Sequence, residues 1–287
     1  MQTIGGSVIH TFLDGNEVIQ KARNTLIRSG AGHHVSSYIE LAKKIAELQF
    51  RNSEHVLLFR GQSADYRNQK GNTSLKPSIL RGADAHNPAA EILEARFERL
   101  KWAERILVEH YRSDPTFPLP ERIRRQRITR WSILQHYEIC DTPLLDVTHS
   151  LRVAASFASQ RAGTEAYIFV LGVPHLSGAI TASADAGIQI ARLSSMCPPV
   201  ALRPHIQEGY LLGEYPEMGD YEQKSLYEHF EVDFGLRLVA KFRFDPLAFW
   251  GDGKAFPKLS PKTLSPATHT DPFSVVAKRI KNALCTR

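Results

Sequence analysis

The sequence predicts an α+β fold, a helical N-terminal half packed on a mixed or antiparallel β core. Three observations carry this expectation. Apolar residues recur at helical spacing over 39–48, 92–107 and 123–134. From residue 165 onward the pattern changes to near-continuous or alternating apolar runs, as in strands. Apart from an early strand, helices and strands are segregated along the chain, which argues against an alternating parallel α/β fold.

In order, residues 7–13 read as a short strand. Ser37 and Glu40 have the spacing of a capping box, and Ile39, Ala42, Ile45 and Leu48 follow at helical intervals, so a helix runs to about Phe50. Residues 55–59 form a compact apolar strand running into Arg60-Gly61, and 62–86, rich in Gly, Ser, Asn and Pro, form an extended loop. Asn87-Pro88 opens a helix carrying Ile92, Leu93, Phe97, Leu100 and Leu107, which Pro115, Pro118 and Pro120 break. One helix is expected over 122–137, with Ile123, Trp131 and Leu134 inward and its arginines outward. Ser150 stands where it would cap a short helix over 151–159. Strands follow at 165–173, 187–193, 209–214 and 234–244, then a loop over 251–270 and a terminal helix opened by Asp271-Pro272. Residues 1–250 are expected to form a single domain, with 251–287 a loop and helix packed on it.

The 287 residues carry a net charge of +6, and 43% are hydrophobic, enough to bury a core. The longest apolar runs fall far short of the roughly 20 residues a membrane helix needs, so no membrane partner is expected. The N-terminus lacks a signal-peptide pattern. Cys140, Cys197 and Cys285 are odd in number and far apart, which suits a reducing, cytoplasmic compartment. Without CxxC, HExxH or HxH pairs, no metal ligands are expected. Positive charge concentrates at Arg122, Arg124, Arg125, Arg127 and Arg130 and suits a phosphorylated ligand or a nucleic acid.

Three segments carry a resemblance. The first is Leu57-Leu58-Phe59-Arg60-Gly61-Gln62, followed by Leu75-Lys76-Pro77-Ser78-Ile79-Leu80-Arg81. The second begins with Trp131-Ser132-Ile133-Leu134-Gln135-His136-Tyr137 and continues through Pro143-Leu144-Leu145-Asp146-Val147-Thr148 to Ala154-Ala155-Ser156-Phe157-Ala158. The third is Arg203-Pro204-His205-Ile206-Gln207-Glu208-Gly209-Tyr210. In this order, over roughly residues 35 to 245, they resemble the FRG domain family. The family pattern has Pro-Thr-Arg ahead of Leu-Leu-Asp and a Trp after it; this chain has Asp141-Thr142-Pro143 and Val147. The FRG pattern is itself similar to the ADP-ribosyltransferase layout, in the order Phe59-Arg60-Gly61, Asp146 to Ser150, then Ala154 to Phe157.

The resemblance implies an ADP-ribosyltransferase-like fold and an intracellular ADP-ribosyltransferase or NAD+ glycohydrolase of the toxin or defence type. NAD+ would be the substrate, and a protein, a nucleic acid or water the acceptor. Arg60, Thr148, Gln207 and Glu208 would be its catalytic residues. Phe59, Arg60, Gly61, Gln62, His136, Tyr137, Asp146 and Ser150 would contact NAD+ or a related nucleotide. Arg60 suits a pyrophosphate because its guanidinium is a charged bidentate fork. Gly61 would let the backbone approach a ligand. Cleavage of the nicotinamide–ribose bond passes through an oxocarbenium-like state that a carboxylate stabilises, and after Glu208 the next candidate for that group is Glu214.

Other readings stay open. Arg60 could pair with Asp146 as a buried ion pair, His136 and Tyr137 could be a core pair, and Thr148 and Ser150 could only cap a helix. The lack of a Glu-x-Glu pattern favours an inactive nucleotide-binding or protein-interaction module. The basic helix 122–130 is the sole support for a nucleic-acid-binding protein.

Overall fold

The computed structural model describes residues 1–4, 8–83, 87–113, 120–227, 232–251, 253, 256–266 and 271–285. Ser7, Pro115, Pro118 and parts of the expected loops 62–86 and 251–270 lie outside them.

The longest apolar run of the sequence forms the centre of the sheet. In β6 (Ala166–Val173), Ile168, Phe169, Val170 and Leu171 are fully buried. It pairs antiparallel with β4 (Val56–Gln62) on one side and β10 (Leu238–Phe244) on the other. Beyond β10 lies β3 (His33–His34), the sheet's parallel partner strand. Beyond β4 come β5 (Leu145–Thr148), β9 (Gly209–Glu214), β8 (Ile188–Arg192) and β7 (Ile180–Ser183), all antiparallel. The result is a mixed eight-stranded sheet in the order β3-β10-β6-β4-β5-β9-β8-β7. A separate hairpin joins β1 (Ile9–Thr11) and β2 (Gln20–Ala22).

The helices include α1 (Asn24–Ser29), α2 (Tyr38–Arg51), α3 (Ala90–Ser113), α4 (Pro120–Arg125), α5 (Arg127–His136) and α6 (Leu151–Ala158). Short α7 (Leu193–Met196), α8 (Leu202–Ile206), α9 (Tyr221–Ser225) and α10 (Pro261–Leu264) follow, and α11 (Pro272–Cys285) packs on α3. Ser37 Oγ accepts from the Glu40 amide, as the capping spacing requires. The Glu40 carboxylate, however, takes its bonds from Ser36 N–H and Oγ–H rather than from Ser37.

Several expectations are corrected. The helix 122–137 is two helices, broken at Gln126, whose backbone is extended at the N-cap of α5. Its arginines are mostly engaged. Arg130 pairs with Glu104 at 2.7 Å, Arg122 donates to Ser195 O, and Arg127 lies over the Trp131 ring. Arg124 and Arg125 remain exposed beside Glu121. The strand 234–244 begins only at Leu238. Residues 234–237 form a 3-10 turn, pinned by buried Asp233, which accepts from Gly235 N–H and pairs with Arg28. Ser150 occupies the N-cap of α6, but its hydroxyl makes no capping bond. The short strands β2, β3 and β7 and helices α1 and α7 to α10 carry too few residues for a periodicity.

Candidate functional site

Register assembles the site. Phe59 on β4 faces Thr148 on β5, and Thr148 faces Gly209 on β9. This brings Arg60, Thr148 and Gln207, far apart in sequence, around one cleft of about 550 Å³, within the range of ligand-sized clefts. Along one wall, α6 lies against β4 so closely that a Cβ on Gly61 would stand 1.8 Å from Ala154 O. Gly61 is therefore required by the helix packed on it.

The floor is built around Asp146. Its Oδ2 accepts from Gln135 Nε2 at 2.6 Å, and its Oδ1 lies 3.5 Å from His136 Nδ1. The Gln135 amide is oriented from behind, because its Oε1 accepts from the Thr142 hydroxyl. Asp146 sits deep, yet 37% of its side chain stays open to the cleft. Burial works to raise its carboxyl, but His136, Gln135 and the charge of Arg60 outweigh that and hold it below the usual carboxylate range. Burial also pushes the His136 imidazole down despite Asp146, so the ring is neutral at neutral pH.

Arg60 donates through Nη1 to the backbone carbonyl of Asp146, while its Nε–H is buried without a partner. Burial and the like charge of Arg81 pull its guanidinium down to about 10, against the pull of Asp146, so it keeps its charge at neutral pH. Thr148 Oγ1 donates to Gln207 O at 2.6 Å and accepts from Ser150 N–H at 3.0 Å. The Gln207 amide donates to Leu264 O at 2.7 Å.

The family model described as the FRG domain matches residues 55–166. The match runs from just ahead of β4 to the first residue of β6 and takes in Arg60, His136, Asp146 and Thr148. The third motif segment, with Arg203 and Gln207, lies outside it yet contributes to the same cleft. Comparison with curated proteins and with solved structures gives no match.

Of the expected site residues of the FRG domain and the segment after it, Phe59, Arg60, Gly61, Gln62, His136, Asp146, Thr148 and Gln207 line the cleft. Tyr137, Ser150 and Glu208 do not. The Tyr137 hydroxyl donates to Asp271 at 2.7 Å and its ring packs on Phe273, so it is a core residue. Glu208 has a left-handed backbone, φ 45°, and an exposed side chain. Glu214 pairs with buried Lys224 at 3.0 Å.

Sequence reasoning missed much of the cleft's charge. Arg81, Arg161 and Arg203 join Arg60, and the lining carboxylates are Asp146 and Glu138, so among the described residues four arginines face two acids. Arg203 pairs with Glu138 and has a buried Nε–H without a partner. Tyr66 and Phe157 add aromatic surface. Arg81, Gln135 and Arg203 stand within the three motif segments, which is the one signal that could have marked them.

Outside the cleft lining, Glu17, His33 and Glu40 bring potential metal-ligand atoms within 4.8 Å of one another, a grouping that spacing did not show. Lys44 already supplies a cation to Glu17 at 2.7 Å. Cys140, Cys197 and Cys285 are free, and no described helix is long and apolar enough to cross a membrane.

Proposed function

We propose that the cleft binds NAD+ or a related nucleotide carrying a diphosphate. The observation that carries this reading is the excess of arginines among the described residues of a polar cleft, two of them with buried Nε–H groups that have no partner. A buried donor left unsatisfied costs about 1–3 kcal/mol, and phosphate oxygens would satisfy such donors with charge-assisted bonds. The resemblance of the motif order to ADP-ribosyltransferases points to the same ligand.

A second reading adds cleavage of the nicotinamide–ribose bond, as an ADP-ribosyltransferase or NAD+ glycohydrolase. It rests on Asp146, an ionised carboxylate open to the cleft floor. With Glu208 turned to solvent and Glu214 paired elsewhere, Asp146 is the carboxylate suited to stabilise positive charge on the ribose. The nucleic-acid reading loses support, because Arg122, Arg127 and Arg130 are engaged within the protein.

Calorimetric titration with NAD+, paired with chromatographic measurement of free nicotinamide, tests both readings. Binding with nicotinamide release supports the enzyme. Binding without release supports a nucleotide-binding module. Absence of binding for NAD+ and ADP-ribose alike overturns the proposal.

A further inference from the structure

We propose that the cleft has a second chamber that holds the purine half of the ligand, with Tyr66 as the surface on which the base stacks. This rests on the reading of the cleft as a nucleotide site. Gln62, Tyr66 and Arg81 line both the main cleft and an adjoining cavity of about 410 Å³. The two spaces therefore meet along these three side chains.

The strand sets their spacing. Arg60 and Gln62 lie two residues apart on β4, so they share a face and stand roughly 7 Å apart along it. A ligand with its phosphates at Arg60 and Arg81 reaches Asp146 and His136 on one side and Gln62 and Tyr66 on the other.

Each of the three has a suitable chemistry. Tyr66 is 59% exposed, so its ring offers a free face. It is also held in place, since its carbonyl accepts from Ser74 N–H and the next residue, Arg67, bonds Ser29 O, Gly30 O and Gly71 O. Gln62 Oε1 is buried without a hydrogen-bond partner. It is an acceptor and calls for an N–H donor, which the exocyclic amine of adenine supplies. Arg81 carries positive charge at the junction, where the diphosphate would cross. The occupant that fits is a dinucleotide with an amino-purine at the Tyr66 end and its reacting sugar at the Asp146 end.

The test titrates the full chain with AMP and with nicotinamide mononucleotide, alone and together. The expected result is that both bind, that neither displaces the other, and that AMP binds more tightly than UMP. Tyr66→Ala should weaken AMP about tenfold or more, the scale of a lost base–aromatic stack, and leave nicotinamide mononucleotide unchanged. Tyr66→Phe should retain AMP binding. Mutual displacement of the two mononucleotides, or a Tyr66→Ala effect on nicotinamide mononucleotide instead of AMP, overturns the two-chamber arrangement. NAD+ binding that Tyr66→Ala leaves unchanged removes the second chamber alone. Failure of NAD+ and both mononucleotides to bind removes the nucleotide reading with it.

Discussion

The Arg60 guanidinium donates to the backbone carbonyl of Asp146 and not to its carboxylate. No described ion pair joins the two side chains. The carboxylate is held from α5, by Gln135 at 2.6 Å and beside His136 at 3.5 Å. The reading of Arg60 and Asp146 as a buried ion pair is thereby corrected. Each charge stays available to the cleft, with the two side chains coupled through space and not by a direct pair.

Arg60→Ala should therefore leave the thermal melting of the protein close to that of the parent while weakening NAD+ binding by about 1.5–3 kcal/mol, the worth of a hydrogen bond to a charged group. Arg60→Lys should recover only part of this, because an ammonium keeps the charge and loses the fork. Melting curves and calorimetry on the same variants decide it. A large fall in melting temperature would make Arg60 a structural residue.

Asp146→Asn separates binding from chemistry. It removes a negative charge beside the arginines, so NAD+ should bind at least as tightly. If the chain cleaves NAD+, nicotinamide release should fall about 100-fold or more, the scale for loss of a positioned catalytic group. Undiminished release would assign the chemistry to another residue.

Acid should destabilise the fold in two stages. His136 is held below its ordinary value of 6.5, and Asp146 below its ordinary value of 3.8. In both cases the unfolded chain binds the proton more readily than the folded one, so stability rises with pH through each window. The contribution of His136 is complete above 6.5 and is lost as pH falls below it. That of Asp146 is complete above 3.8 and is lost below. Melting temperatures across this range should show the first decline in the parent and its absence in His136→Asn. A flat profile between pH 7 and 5 would contradict the burial of a neutral His136.

Gly61→Ala should be among the costliest single-methyl changes in the chain. The new Cβ would meet the backbone of α6, with Ala154 O at 1.8 Å and Ala158 N at 2.9 Å. The helix would have to move off the sheet, which costs about 3 kcal/mol. Urea denaturation measures this directly. A loss below about 1 kcal/mol would show that α6 adjusts freely.

Long periodic elements were legible in the sequence. The helix beginning after Ser37 and the buried run of β6 lie where spacing predicts them, and the strand expected over 55–59 is there but runs on through Arg60 to Gln62. Shorter elements were not, since two to five residues carry no period. In the site, the motif residues converge, but side-chain direction was beyond reach. His136 and Tyr137 are neighbours, yet one faces the cleft and the other faces Asp271 at the end of α5. The left-handed turn at Glu208 has no glycine to announce it. Arg203 and Arg81 join Arg60 only through the fold, so their place in the motif segments was the one sign of them in the sequence.

Thr148 fastens three stretches of chain with one oxygen: the end of β5, the start of α6 and the turn before β9. The cleft is thus shaped during folding and not by its occupant. A guest entering such a host sacrifices little further freedom of the chain, so most of the contact energy is retained as affinity. Association should then proceed in one kinetic step, with no slower phase of rearrangement behind it. Valine at this position would match the shape of threonine and still release all three stretches at once. The loss would be felt as a slackened grip and not as a missing contact.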